Sequence, residues 1–413
     1  MKSFITLIFF ILNFNILSSV LIFKFSLLPY PSNIGFFDIL TNNLYTNIKI
    51  GNPEQTIPVK ISTNTTYLMI PGKTLKGKYD ENSSTSYSKK RKEEIYISSI
   101  CYSKGFLSED EITFEEYKGN SNLKKNVSFF LPSIISSDYS NKNNDAYIGF
   151  NYQNKRHDED FILFLHEEKI INEQIFSFKF NNDLEGEILI GDYPHTYNSK
   201  YDEDNLYKIK VESGIRQENW GLKFDSITFG NHKSIYTTGT IYFDSNIILA
   251  PQNFISELDN QFFNNQKDKC KQDFNEERNI TYYSCDKSVN IKKFPSLKFY
   301  LKDFNNTFEI NGKDLWEEIN ERLYCLIVPH EHSYGWQLGI PFLKTHEFIF
   351  EVDRGYIGIY KGSSFSFPWF LIILFILIII ALIYILYTKK TNIIKRKKAN
   401  ELLETIDTSP IEK

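Results

Sequence analysis

Two stretches constrain this chain more than any others. Val59-Lys60-Ile61-Ser62-Thr63-Asn64-Thr65-Thr66-Tyr67-Leu68-Met69-Ile70-Pro71 places an apolar run on either side of a short polar turn. That pattern reads as strand, tight loop, strand. Ile241-Tyr242-Phe243-Asp244-Ser245-Asn246-Ile247-Ile248-Leu249-Ala250-Pro251 repeats it. Each loop carries a polar residue of acid size or smaller, then a hydroxyl residue, then Asn, and each stretch ends on Pro. Each is also followed, far downstream, by a strand-like run closing on Gly: Tyr147-Ile148-Gly149 and Gln337-Leu338-Gly339. A chain built in this way has two halves, each presenting one loop.

The residues between the loops agree with a β-rich body. Short runs recur at Leu44–Ile50, Ile57–Ile61, Glu94–Ile100, Ile112–Phe114, Phe176–Phe180, Glu187–Ile190, Leu206–Val211 and Leu222–Phe229, with turn residues such as Gly51-Asn52-Pro53 and Gly230-Asn231 between them. Helical spacing is scarce and is best at Asp160–Glu168 and Asn253–Phe263. Many short strands and few helices predict an all-β fold of sandwich or barrel type. At 413 residues there is room for two or three domains. The net charge of −4 is too small to call for nucleic acid or any strongly charged partner.

The two ends read differently from the body. Lys2, the apolar run Phe4–Leu12 and the small pair Ser18-Ser19 have the order of a secretory leader, placed at residues 1–22, although apolar character running on to Phe23 also fits an uncleaved anchor. Phe367–Tyr387 is an uncharged stretch of a length that crosses a hydrocarbon core of about 30 Å. Trp369 lies at one edge of it, with Tyr384 and Tyr387 at the other, where interfacial aromatics belong. Lys389, Lys390, Lys395, Arg396, Lys397 and Lys398 follow directly and place the tail in the cytosol by the positive-inside rule. A stop-transfer flank accounts for this basic run, and lipid binding or nuclear import are other uses of one. The expected layout is a single-pass type I membrane protein of the secretory pathway or cell surface, its body lumenal or extracellular.

Other motifs fit a secreted body. N-x-S/T sequons stand at Asn64, Asn82, Asn126, Asn279 and Asn305. Asn64 belongs to the first loop and is the one least open to a glycan, which leaves Asn82, Asn126, Asn279 and Asn305 as candidate surface sites. Cys101, Cys270, Cys285 and Cys325 would meet an oxidising compartment, and four cysteines allow three complete pairings. No C-x-x-C occurs, and His330 and His332 form an H-x-H without a third ligand in view. No metal and no cofactor is expected.

Taken in order, the body resembles the pepsin-like (A1) aspartic proteases from about Ile39 to Gly362. Leu44-Tyr45-Thr46-Asn47-Ile48-Lys49-Ile50-Gly51-Asn52-Pro53 is similar to that family's opening strand and turn. Gly105-Phe106-Leu107-Ser108-Glu109-Asp110 is similar to the segment after its flap. Ala146-Tyr147-Ile148-Gly149-Phe150 is similar to the strand under its first active loop, and Ile175–Phe178 with Gly186–Gly191 to the approach to its lobe junction. Trp220-Gly221-Leu222-Lys223-Phe224-Asp225-Ser226-Ile227-Thr228-Phe229-Gly230 and Trp336-Gln337-Leu338-Gly339-Ile340-Pro341-Phe342-Leu343 follow, with Val352-Asp353 and Ile357-Gly358-Ile359 closing the series. No single motif is decisive, but their order and spacing together are specific. The resemblance implies a bilobal all-β fold with residues 23–35 as a short prosegment-like stretch, 36–193 and 194–362 as the two lobes, 363–388 as a transmembrane helix and 389–413 as a cytosolic tail. It also implies a bridge between Cys285 and Cys325, leaving Cys101 and Cys270 open, and a monomer whose cleft takes an extended peptide.

Aspartic proteases hydrolyse peptides with two carboxylates about 3 Å apart that share a proton and hold a water. One acts as base while the other, protonated, polarises the carbonyl. By the resemblance each carboxylate comes from a D-T/S-G loop. Here the first loop reads Ser62-Thr63-Asn64 and the second Asp244-Ser245-Asn246, so one acid of two remains. Thr63 and Ser245 keep the hydroxyls that brace the loops across the cleft, and Thr65 adds another beside the first. Asn stands in both glycine positions, where its tolerance of left-handed backbone would preserve the turn. Pro251 comes sooner after Asn246 than in the family's pattern. The flap tyrosine has no clean counterpart, Ser98 falling at its place between Tyr96 and Tyr102, and the flap's glycines are mostly missing between Ile95 and Lys104. Three functions are consistent with this pattern: a peptide-binding pseudoprotease, an active endopeptidase relying on Asp244, and a surface or adhesion protein with an unused cleft.

Overall fold

The computed structural model describes residues 19–28, 40, 44–97, 102–119, 122–136, 145–152, 160–212, 219–276, 280–302, 306–330, 335–361 and 369–407. The chain divides into two compact units, Met1–Lys361 and Gly362–Lys413.

In the first unit the described strands form two large sheets. The thirteen-stranded sheet runs Leu206–Lys210, Tyr356–Tyr360, Phe348–Glu351, Ile175–Phe180, Glu185–Ile190, Leu21–Leu27, Leu44–Ile50, Gln55–Ser62, Ala146–Gly149, Leu68–Met69, Asn122–Ser136, Tyr102–Glu116, Ser88–Ile97. Its first three strands come from the second half of the chain, so the halves are joined by hydrogen bonds rather than merely packed. The eleven-stranded sheet is built wholly from the second half, between Gly221 and Leu338. Alternation explains individual strands: in Leu44–Ile50, residues 44, 46, 48 and 50 are buried and those between them face outward. The two expected helices form, as Phe161–Glu167, which buries Phe161, Ile162, Leu163 and Leu165, and Ile255–Gln261, which buries Leu258. Most of the core is one aromatic-rich cluster in which Phe176, Trp220, Phe243 and Phe350 meet at the junction of the halves.

Leu21–Leu27 is a departure from expectation. The leader boundary expected at residue 22 falls inside this strand, so the described sheet begins at Leu21 and not at residue 36. The strand pairs with Glu185–Ile190 on one side and with both Leu44–Ile50 and Tyr102–Glu116 on the other. Leu21, Phe23 and Phe25 are buried, and Phe25 stacks on Phe178 at 4.8 Å. The stretch is apolar enough to read as the tail of a leader, which hid its inward–outward alternation.

The cysteines also pair differently. Cys270 is bonded to Cys285, and Cys325 is free and buried, so the expected Cys285–Cys325 bridge is corrected. The strand register gives the reason. Cys270 lies directly opposite Cys285, whereas the residue opposite Cys285 on its other side is Leu323, two positions short of Cys325. A directly opposed pair places its Cβ atoms within disulfide reach, and a diagonal pair does so less well. Cys101 lies outside the described residues. Of the sequons, Asn82 and Asn126 are exposed and Asn64 is half-buried, while Asn279 and Asn305 lie outside the described residues.

The described residues of the second unit form the helix Trp369–Asp407. Within it the described stretch Leu377–Lys398 is long and apolar enough to cross a membrane, with Lys389, Lys390, Lys395, Arg396, Lys397 and Lys398 at its C-terminal end. The helix continues without a break past Tyr387, the expected end of the apolar span.

Candidate active site

Both loops rise from the same local architecture. In the first, Gln55–Ser62 runs parallel to Ala146–Gly149, which pairs antiparallel with Leu68–Met69, itself parallel to Asn122–Ser136. In the second, His232–Ile241 runs parallel to Trp336–Leu338, which pairs antiparallel with Ile248–Pro251, itself parallel to Ile327–His330. The sequence repeat is therefore a structural one. Glycine is needed at the matching end of each inner strand. A Cβ on Gly149 would stand 2.4 Å from the Thr65 carbonyl oxygen, and one on Gly339 would stand 2.3 Å from that of Ser245. Backbone bonds fix the loops in place: Phe150 N–H donates to the Ser62 carbonyl at 2.8 Å, Phe161 N–H to that of Thr66 at 2.8 Å, and Ile340 N–H to that of Ser245 at 2.8 Å. The buried Trp220 indole donates to the Phe150 carbonyl at 2.7 Å and so ties the second half to the base of the first loop.

Asp244 and the first loop meet. Thr63 N–H donates to Asp244 Oδ2 at 2.7 Å and the Thr63 hydroxyl to the same oxygen at 3.2 Å. Thr63 Oγ1 in turn accepts from Phe243 N–H at 3.1 Å, so this one side chain braces the two loops. Asn64 N–H donates to Ser62 Oγ at 3.0 Å, and Ser62 and Asn64 both lie close enough to the Asp244 carboxylate to favour its charged form. Ser62, Thr63 and Thr65 are buried, while Asp244 keeps part of its surface open. Donors from Ser62, Thr63 and Asn64 face this carboxylate. Burial still outweighs them and raises its pKa to about 6, with the bonds from Ser62, Thr63 and Asn64 pulling the other way.

The eukaryotic aspartyl protease family model covers residues 43–361. The chain belongs to that family. Plasmepsin VII of Plasmodium berghei (strain Anka) is 26% identical over 382 residues, an alignment covering 81% of this chain and 76% of that protein.

Within the aspartyl protease frame, the sequence located both loops and missed several details. Ser245 does not reach across: its hydroxyl accepts from Ile247 N–H at 3.3 Å and donates to the Ile247 carbonyl at 3.0 Å, within its own loop. The cross-brace is carried by Thr63. Thr65 likewise closes its turn, accepting from Tyr67 N–H at 3.1 Å. Neither Asn64 nor Asn246 has positive φ, so both turns form without left-handed backbone. Asn246 is buried and lines a cavity of about 650 Å³ with Leu27, Trp316, Leu326, Ile340 and Pro341. No sequence signal marked that cavity, because its lining comes from distant parts of the chain. Ser88–Ile97 and Tyr102–Glu116 pair as an antiparallel hairpin, and Ser98, the expected flap position, lies outside the described residues. His330 ends a strand of the second sheet and His332 lies outside the described residues; among the described residues no group of three or more His, Cys, Asp and Glu is placed to hold a metal.

Proposed function

We propose that this aspartyl protease family member is a membrane-anchored, catalytically impaired protein whose interlobe cleft binds extended peptide. The observation that carries the reading is Ser62. It sits where the first loop meets Asp244 and offers that carboxylate a hydroxyl in place of a second carboxyl. Two acids can trade a proton as a peptide is attacked, because their pKa values can be separated around the working pH. A serine hydroxyl titrates far above that range, so it can neither start as base nor return a proton as a carboxylic acid does. The C-terminal helix supplies the anchor in this reading, with the first unit on the lumenal or extracellular side.

Asp244 near 6 supports a second reading, since a carboxylate poised there can act as base on a water at mildly acidic pH. Under that reading Ser62 only positions the water and turnover is slow. The two separate in one experiment. Peptide cleavage by residues 19–361 is followed from acid to neutral pH beside Asp244→Ala. We expect no turnover from either, together with saturable binding of a statine-type peptide. Cleavage that disappears in Asp244→Ala would instead establish a one-carboxylate enzyme.

A further inference from the structure

We infer that the C-terminal helix carries a binding site for anionic phospholipid headgroups just beyond the uncharged stretch that ends at Thr388, formed by Lys389, Lys390, Lys395, Arg396, Lys397 and Lys398. The inference rests on the reading of this helix as a membrane anchor. All six side chains are exposed. Among the described residues none of the six pairs with an acid, and the sequence has no Asp or Glu from Trp369 to Asn400. A plain stop-transfer flank needs only positive charge near the exit. This run continues in a helix that does not end at the membrane surface, and that continuation sets the geometry of the charges.

At 1.5 Å per residue, Lys389 and Lys390 lie within about 5 Å of Tyr387, inside the headgroup layer. Lys395 to Lys398 stand roughly 9–14 Å beyond Lys389 along the axis, which leaves them within about a Debye length of the bilayer surface if the helix stands upright. At about 100° per residue the six are spread round the whole circumference, and the exposed Ile393 and Ile394 fall among them instead of forming a stripe. A helix lying flat on a membrane, or docking on a protein, needs its cations or its apolar residues on one side. A ring of cations suits a helix surrounded by lipid headgroups. The acids Glu401, Glu404 and Asp407 come only afterwards in the sequence, on the side away from the bilayer, where an anionic surface does not repel them strongly.

The test uses the full chain reconstituted in mixed phosphatidylcholine and phosphatidylserine, with native mass spectrometry counting the lipids retained after release from the membrane. The wild type should retain phosphatidylserine over phosphatidylcholine by about tenfold, a modest reading of the attraction expected for several juxtamembrane cations. A variant with all six changed to Gln should show no preference. Free inorganic phosphate should not displace the bound phosphatidylserine; displacement would overturn the headgroup assignment in favour of a free anion. Equal retention of the two lipids by wild type and variant, in protein that resists alkaline extraction, would overturn the lipid site and leave the anchor intact. Loss of the protein from membranes on alkaline extraction would overturn both.

Discussion

Replacing Asp244 by Asn should make the fold more stable at neutral pH than at acid pH, relative to wild type. The carboxyl of Asp244 has its pKa raised from 3.8 to about 6 by burial. Between those values the unfolded chain has released this proton and the folded chain still holds it. Unfolding there releases a proton, so raising the pH favours the unfolded state. Above about 6 both forms are ionised, and the folded state carries a fixed penalty for a partly desolvated charge. About two pKa units correspond to up to about 3 kcal/mol, an upper figure because part of Asp244 stays open to water. An Asn side chain keeps an oxygen to accept from Thr63 N–H and has no charge to desolvate. Its own packing effect does not vary with pH, so the wild-type-minus-variant difference isolates the titration. Denaturant unfolding of residues 19–361 should give a difference that is flat below about pH 4, moves in favour of the variant up to about pH 6, and is flat again above. A difference that stays constant from pH 3.5 to 8 would refute the raised pKa. A difference of opposite sign would mean that the donors of the first loop, not burial, control this carboxyl.

Ser62→Asp returns a second carboxyl to the first loop. At about 4 Å and an effective dielectric near 20, two carboxylates repel by about 4 kcal/mol, enough to split their titration by roughly three pH units. Under the proposed reading acid-optimum cleavage should therefore rise above that of the parent; a folded variant with no gain would show that the second acid is not what limits turnover. Thr63→Val removes the brace and leaves the Phe243 N–H without its partner, at a cost of about 1–3 kcal/mol in denaturant unfolding. Phe25→Ala opens the junction sheet where Phe25 is only 3% exposed, and should cost about 3–5 kcal/mol; a near-neutral result would mean that Leu21–Leu27 is dispensable. Non-reducing peptide mapping should find Cys270 joined to Cys285, with Cys325 alkylated only after unfolding because burial pushes its thiol up to about 12.

What the sequence discloses and what it withholds follow from the range of the forces involved. Leu44–Ile50 was legible because a period-two pattern is written in adjacent residues, and Gly149 and Gly339 because close backbone contact leaves glycine in a fixed place beside each loop. The loss of one carboxylate was legible for the same local reason. Leu21–Leu27 was not, since a half-buried strand and the end of an apolar leader share a composition; only pairing with Glu185–Ile190, far along the chain, distinguishes them. The disulfide was hidden by register, which a shift of two residues along Arg322–Cys325 would change and which no count of cysteines contains.

At the site itself, Thr63 and Ser245 were equal candidates for bracing the loops. The structure breaks the tie by giving Thr63 both Phe243 N–H and Asp244 as partners, while Ser245 folds back on Ile247. That asymmetry has a physical consequence for the remaining acid. Both hydrogen bonds within 3.2 Å of Asp244 Oδ2 come from Thr63 and not from position 62. Asp244 is thus held in a supported but partly desolvated setting, by a first loop that carries Ser62 and no carboxyl of its own.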